Sequence, residues 1–441
     1  MDTIKKFPKH FIFGVATSSY QIEGSKFGGC GLSHWDVFAK GDGNTVDGQD
    51  GSIACEHVFR WAEDLDLIQN AGFSAYRFSF SWPRVQPSGR GKVNPAGLDF
   101  YDKLIDGMLE RQLLPFATLY HWDLPEQLGK SGGWQNREVA KWFADYSEII
   151  VKKFGDRLHS IATINEPWCV SWLSHYWGEH APGMRSLEAT AKSMHNVLLA
   201  HGHAIEAMRA SGQKNLGIVL NKTDVEPASD SDRDIKAAQL YDEIHNLWFD
   251  DAIFRGRYPD LLLSKFEKYL PKRYKNELAT ISQALEWIGV NYYTRSIVKF
   301  DENDPIMNFA LVSGDLPKTD MGWEISPNGL SKVLKRLHHE YTHKIPIHIT
   351  ENGMANLDKV EDGRINDRER VSFLSKHLKE IEFLLNEIPI KSYFAWSLLD
   401  NFEWAFGYQK RFGLVYVDYQ DQKRIPKASY EAFKKALLYR Y

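Results

Sequence analysis

The sequence predicts an α/β fold, a (β/α)8 barrel, and three observations lead there. Eight short apolar runs recur along the 441 residues. Segments of helical periodicity lie between them, and no Pro/Ser-rich linker or charge block interrupts the series. Strands alternating with amphipathic helices form parallel βαβ units, and eight such units close into a barrel. Length alone would allow two or three domains, but barrels commonly exceed that prior as one unit. Residues 1–441 are therefore expected to be a single domain with extended βα loops.

In chain order the expected strands are 11–17, 75–82, 114–122, 158–166, 216–221, 287–292, 346–351 and 391–396. The exit of the first, Phe13-Gly-Val-Ala-Thr17, lacks the Gly-x-Gly-x-x-Gly turn with which an open, doubly wound sheet cradles phosphate. The fourth ends in Asn165-Glu166-Pro167. Proline cannot continue a ladder and disfavours helix in the residue before it, so it sets the exit. The seventh begins after Pro346, runs Ile347-His-Ile-Thr350 and breaks at Glu351-Asn352-Gly353, as a strand entering a turn does. Helices are expected over 55–71, 95–112, 137–154, 187–211, 327–341 and 367–386. The stretches 25–54 and 296–324 carry Gly, Asp and Asn and are expected to wall the face where strand C-termini converge. Those strand ends carry Gln21, His121, Glu166, Asn221, Tyr293, Glu351 and Trp396.

The totals exclude several function classes. A net charge of −4 gives no electrostatic reason to expect nucleic acid or an anionic membrane as partner, and no stretch approaches transmembrane length. Cys30, Cys55 and Cys169 show no metal-like spacing, and the first residues lack the apolar core of a signal peptide. A cytoplasmic location is the expectation. Aromatic residues make up 13%, with 14 Trp. Most serve the core, yet tryptophan also offers a flat apolar face and an N–H handle to a ligand with C–H faces and hydroxyl edges.

Glu166 and Glu351 each end a strand beside an asparagine. Two carboxyl groups facing one another across a barrel mouth suit hydrolysis of a glycosidic bond. One protonates the leaving oxygen while the other attacks the anomeric carbon or activates water. A single such glutamate is usually a solvated loop residue; the pair is the signal. Arg77 lies inside the apolar run Ala75-Tyr-Arg-Phe78, where an unpaired charge would be costly, so it needs an anion nearby.

Thr163-Ile-Asn-Glu-Pro167 and Ile349-Thr-Glu-Asn-Gly353 resemble the two signatures of glycoside hydrolase family 1, the β-glucosidase family. Residues 11–24 resemble that family's opening signature. The likeness continues through Tyr120-His-Trp-Asp-Leu-Pro125, Asn291-Tyr-Tyr293, Asp320-Met-Gly-Trp323 and the run from Trp396 to Trp404. The resemblance implies a retaining enzyme that releases terminal β-D-glucosyl residues from cellobiose and other β-glucosides. Side activity on β-galactosides or β-fucosides and transglycosylation are further implications. It implies no cofactor and no metal, with a small β-glycoside as partner; nothing in the sequence sets an oligomeric state.

The same resemblance implies Glu166 as acid/base and Glu351 as nucleophile, their carboxyl groups roughly 5–5.5 Å apart as covalent attack requires. Arg77, Asn291 and Tyr293 are implied to support the nucleophile. Gln21, His121, Asn165, Glu403 and Trp404 match the hydroxyl-binding set over a Trp396 floor, and Trp168, Leu173, Asn221 and Trp323 the leaving-group side. The phospho-sugar branch carries Ser where this chain has Glu403, and Tyr where it has Phe412. With Lys410 between them, unphosphorylated glycosides are still expected. A competing motif, His339-Glu-Tyr-Thr-His343, matches the His-Glu-x-x-His zinc pattern literally. It is set aside because the apolar stripe Leu330, Val333, Leu334, Leu337 and Tyr341 turns His339 outward, and Ile345-Pro346 ends the helix.

Overall fold

The computed structural model describes residues 1–304 and 306–440. Its barrel strands are β1 (Ile12–Ala16), β2 (Ala75–Ser79), β3 (Leu114–Tyr120), β4 (Ser160–Asn165), β5 (Leu216–Pro227), β6 (Trp287–Phe300), β7 (Ile347–Asn352) and β8 (Ile390–Trp396). Their order around the sheet is β5-β4-β3-β2-β1-β8-β7-β6, and β6 pairs back onto β5. Every one of these pairings is parallel, so the sheet closes as a (β/α)8 barrel. Each expected run holds one strand, and the six expected helices form over His57–Asn70, Pro95–Glu110, Val139–Phe154, Leu187–Ala210, Pro327–Leu337 and Arg368–Leu384.

Side chains fill the barrel's interior. Ala16, Ala75, Phe116 and Phe394 pack together there. A β-carbon on Gly14 would stand 2.4 Å from the Phe394 ring, so the small residue on β1 makes room for the large one on β8.

The structure departs from the expectation above β5 and β6. Both strands run on past the barrel, to Pro227 and Phe300, and pair as a ribbon through Asp224–Arg295 and Pro227–Val298. Phe309–Val312 then folds back antiparallel on β6. Residues 222–227 are too polar to read as strand; beside the backbone ladder, Arg295 binds Glu226 across the strands at 2.8 Å and Glu324, from the loop beyond, at 2.7 Å. Four further helices fill the connection from β5 to β6, over Asp232–Asp242, Trp248–Arg255, Asp260–Phe266 and Tyr274–Ile281. After β8 the chain forms a hairpin, Val415–Asp418 with Lys423–Pro426, and a last helix, Ala428–Leu438. Among the described residues no helix is long and apolar enough to cross a membrane.

The C-terminal lips of β7 and β8 nearly touch. A β-carbon on Gly353 would lie 1.9 Å from the Trp396 carbonyl oxygen, a backbone atom that cannot swing aside. Glycine there lets Glu351 and Trp396 share one wall of the barrel mouth. Gly353→Ala is expected to destabilise the fold by about 1–3 kcal/mol, as overpacking does. Thermal melting checks this, and a melting curve that superimposes on the parent's would contradict it.

Candidate active site

A cavity of about 590 Å3 opens at the C-terminal ends of the strands, within the size range of small-molecule sites. Glu166 and Glu351 both line it. So do His121, Trp396, Glu403 and Trp404 on one side, and Trp168, Leu173, Asn221 and Trp323 on another, together with Asn291 and Tyr293. Gln21, Arg77 and Asn165 stand behind this surface and are buried.

Arg77, on β2, organises the floor. Its Nη1 donates to Glu351 Oε1 at 2.5 Å, and its Nη2 donates to Asn165 Oδ1 at 2.7 Å. Tyr293 donates its hydroxyl to the other Glu351 oxygen at 2.6 Å. Asn291 also supports Glu351, but its shortest bonds lie elsewhere. Asn291 Nδ2 donates to Glu166 Oε1 at 2.6 Å and to Asn165 Oδ1 at 3.1 Å. The reason is Thr350, whose hydroxyl donates to Asn291 Oδ1 at 2.7 Å and turns the N–H2 end toward β4. Toward Glu351, Asn291 favours the ionised form, after Arg77 and Tyr293. The two carboxyls are thus linked through Arg77, Asn165 and Asn291.

Their surroundings are unequal. Burial, then the Glu351 charge, push the Glu166 carboxyl well above the usual carboxylate range, and its direct donors are the neutral Cys169 and Asn291 groups. Burial also raises Glu351, but the Arg77 charge and the Tyr293 hydroxyl pull it back. Glu351 is therefore the better stabilised anion and Glu166 the better proton holder. Backbone geometry sharpens the placement: Trp122, Glu166 and Trp404 all have left-handed φ, of 77°, 51° and 50°. Such conformations cost on the order of 1 kcal/mol or more each and persist only where the surroundings dictate them.

Three buried polar atoms on the cavity wall lack a protein partner: His121 Nδ1, Trp168 Nε1 and Glu403 Oε2. Buried polar groups normally have one. His121 stacks against Trp396 with ring centroids 5.7 Å apart. Burial and the Arg77 charge hold it neutral. Asn165 accepts at Oδ1, so its Nδ2 is the donor to His121 Nε2 at 3.2 Å. The imidazole proton therefore sits on Nδ1, free to donate to a ligand. Burial and the charges of Glu351 and Glu166 push the Glu403 carboxyl up to about 8. Gln21 is more committed than expected. Its Oε1 accepts from Ser18, and its Nε2 donates to Asn401 Oδ1 and the Phe402 carbonyl.

Several lining residues went unnoticed in the sequence. Cys169 donates its thiol to Glu166 Oε2 at 2.9 Å; it follows Glu166 by three positions, one turn onward, which was the available signal. Ile297, Leu311 and Val312 come from the hairpin above β6 and wall the outer cavity; they lie within the stretch 296–324 expected to wall this face, though nothing in their chemistry marks them singly. Lys410 Nζ, a cation beside the site, is held by the Asp320 carbonyl and carboxylate at 2.6 and 3.0 Å.

The zinc-like motif lies elsewhere. The α-helix ends at Leu337, a wider π-helical turn covers His338–Thr342, and His343 leaves with φ 48°. His339 instead faces Glu387, at 3.0 Å. Among the described residues no three or more His, Cys, Asp or Glu side chains gather as a metal site.

The sequence model of glycosyl hydrolase family 1 matches residues 3–438. The chain belongs to that family. It is 47% identical over 431 residues to a protein named β-glucosidase A from Thermotoga maritima, covering 97% of this chain and 96% of the other. It is 46% identical to a 1,4-β-D-glucan glucohydrolase of Thermotoga neapolitana, over 97% of each chain. The solved structure of a Thermotoga maritima β-glucosidase in complex with glucoimidazole superimposes with a TM-score of 0.95 at 46% identity, over 99% of both chains.

Removing Arg77 leaves the buried Glu351 without its counter-charge; both side chains are under 5% exposed. Arg77→Met is expected to lower the unfolding free energy by about 3–5 kcal/mol, the usual result of breaking a buried pair from one side. Denaturant unfolding at neutral pH measures this. A loss below roughly 1 kcal/mol would mean the pair is solvated.

Proposed function

We propose that residues 1–441 form one catalytic domain, a retaining β-glucosidase that releases terminal β-D-glucosyl residues through a covalent glycosyl-enzyme. The observation that carries this reading is the inequality of the two carboxyls. Glu351, held by a guanidinium and a phenol, is suited to attack the anomeric carbon as an anion. Glu166, held by an amide and a thiol, is suited to arrive protonated and give that proton to the leaving oxygen. Glu166, now ionised, then takes a proton from water as the water displaces Glu351 from the sugar.

The pH dependence follows from these roles. Activity falls as pH rises through the raised pKa of Glu166, because the acid is lost. It falls as pH drops through the pKa of Glu351, because the nucleophile is protonated. The protein has its maximum between the two.

The sugar's hydroxyls are assigned to the unpartnered His121 Nδ1 and Glu403 Oε2, with Trp404 beside them and the Trp396 face as floor. Asn165 and Gln21 act mainly as buttresses, one behind His121 and the other behind the Asn401–Phe402 backbone. Trp168, Leu173, Asn221 and Trp323 are assigned to the leaving group. Unphosphorylated glycosides suit the site, because Lys410 is already bound to Asp320 rather than free to pair with a 6-phosphate. The named activity of the Thermotoga neapolitana relative supports cellobiose and short β-1,4-glucans among the substrates. Galactosides and fucosides are side substrates in this reading, since few groups read C4 and C6. A reducing, cytoplasmic location is part of the same reading, supported by three cysteines that all stay free.

The test is Glu351→Gly on an aryl β-glucoside. Activity is expected to fall by about 10⁴-fold or more, as for removal of a nucleophile. Added azide should restore turnover as the α-glucosyl azide, seen by NMR. Undiminished hydrolysis, or a β-azide product, would overturn the assignment.

A further inference from the structure

We propose that Cys169 is a positioning residue for the reaction, its S–H holding the Oε2 atom of Glu166 whenever that carboxyl is ionised. The inference rests on the reading of Glu166 as acid/base and deepens it. Nothing in the chemistry of the family signature itself requires a thiol at this place.

The two oxygens of Glu166 have different neighbours. Oε1 faces Asn291 Nδ2, and Thr350 prevents that amide from flipping. An N–H2 group can only donate, so the proton of the neutral acid cannot sit between Oε1 and Asn291. It sits on Oε2, the oxygen that meets Cys169 Sγ at 2.9 Å. A thiol suits that position because it rotates and works in both directions. It donates S–H to an anionic oxygen, and it yields when the oxygen carries its own proton. Asn221 Nδ2, 3.8 Å from the sulfur, offers it a donor in the second state. Burial keeps the Cys169 thiol protonated, so the S–H is present throughout the working range.

The proton balance is simple. In the first step Oε2–H passes its proton to the glycosidic oxygen as that oxygen takes the C–O electron pair. The carboxylate left behind is caught by S–H. In the second step Oε2 takes a proton from the attacking water and releases the thiol.

Other groups that face Glu166 do not move when Cys169 changes. Burial and then Glu351 on β7 raise its pKa, while Arg77 on β2 lowers it; Glu403, after β8, is itself held up by burial and by both carboxyls. Tyr293 on β6 is held protonated by burial. His121 and His245 are both held neutral by burial. Loss of the thiol donor therefore acts on Glu166 in one direction: the ionised form loses a partner and the acid persists to higher pH.

The experiment measures the pH profile of kcat/KM for cellobiose, whose poor leaving group requires the acid. Cys169→Val removes the donor and keeps water out of the space. Its basic limb is expected to move up by about half to one pH unit, the worth of one modest hydrogen bond. Cys169→Ser restores a donor, and its limb is expected at or below that of the parent. Cys169→Ala replaces the valine variant should that fail to fold. A valine limb that coincides with the parent's, or a serine limb shifted as far as valine's, overturns the inference. Glu166→Gln is assayed alongside and should lose cellobiose turnover. If it retains the parent profile, the acid/base reading falls as well. An unshifted valine limb beside an inactive glutamine variant condemns the thiol alone.

Discussion

The Arg77 guanidinium lies almost wholly out of water, on the second barrel strand, and its two ends serve two different strands. One nitrogen neutralises Glu351 and the other fixes the Asn165 amide. A buried cation must have such partners, so the arginine dictates the rest of the floor. With Asn165 Oδ1 taken, its N–H2 must face His121, and this sets the imidazole tautomer. With Glu351 held as an anion, the second carboxyl in the same cavity carries the cost of burial and of that neighbouring charge and keeps its proton. One buried charge thus separates two chemically identical side chains into an anion and an acid.

The scaffold makes this economical. In a closed parallel barrel the strand ends converge on one mouth, so residues 77, 121, 166, 291, 351 and 396 meet without any loop having to hold them. Loops add the outer wall instead, above all the ribbon and hairpin extending β5 and β6. On the cavity wall, three buried polar atoms stand where a hydroxylated ligand would complete them, at His121, Trp168 and Glu403.

Much of this was legible in the sequence because the barrel strands are short, apolar and bounded by Pro or Gly. Glu166 and Glu351 stood out as charges delivered by such runs, and Arg77 as a charge inside one. Other features were not legible, for physical reasons. The strand extensions at 222–227 and 293–300 are only partly buried and combine a backbone ladder with ion pairs, so no clear hydrophobic period announces them. The partner of Asn291 depends on which way its amide is turned, and Thr350, a residue of another strand, decides that. Gln21 carries the right group at the right strand end, but Ser18, Asn401 and Phe402 occupy it. Cys169 was passed over because a lone buried cysteine is ordinarily inert core.

The claim at the centre of this account is that the two buried carboxyls hold their protons unequally. Carbon-13 NMR of protein labelled at the glutamate carboxyls, assigned with Glu166→Gln and Glu351→Gln, measures that directly as pH is changed. The account predicts that Glu351 ionises first as pH rises and that Glu166 keeps its proton to a higher pH. Ionisation in the opposite order, or together as one indistinguishable pair, would contradict it.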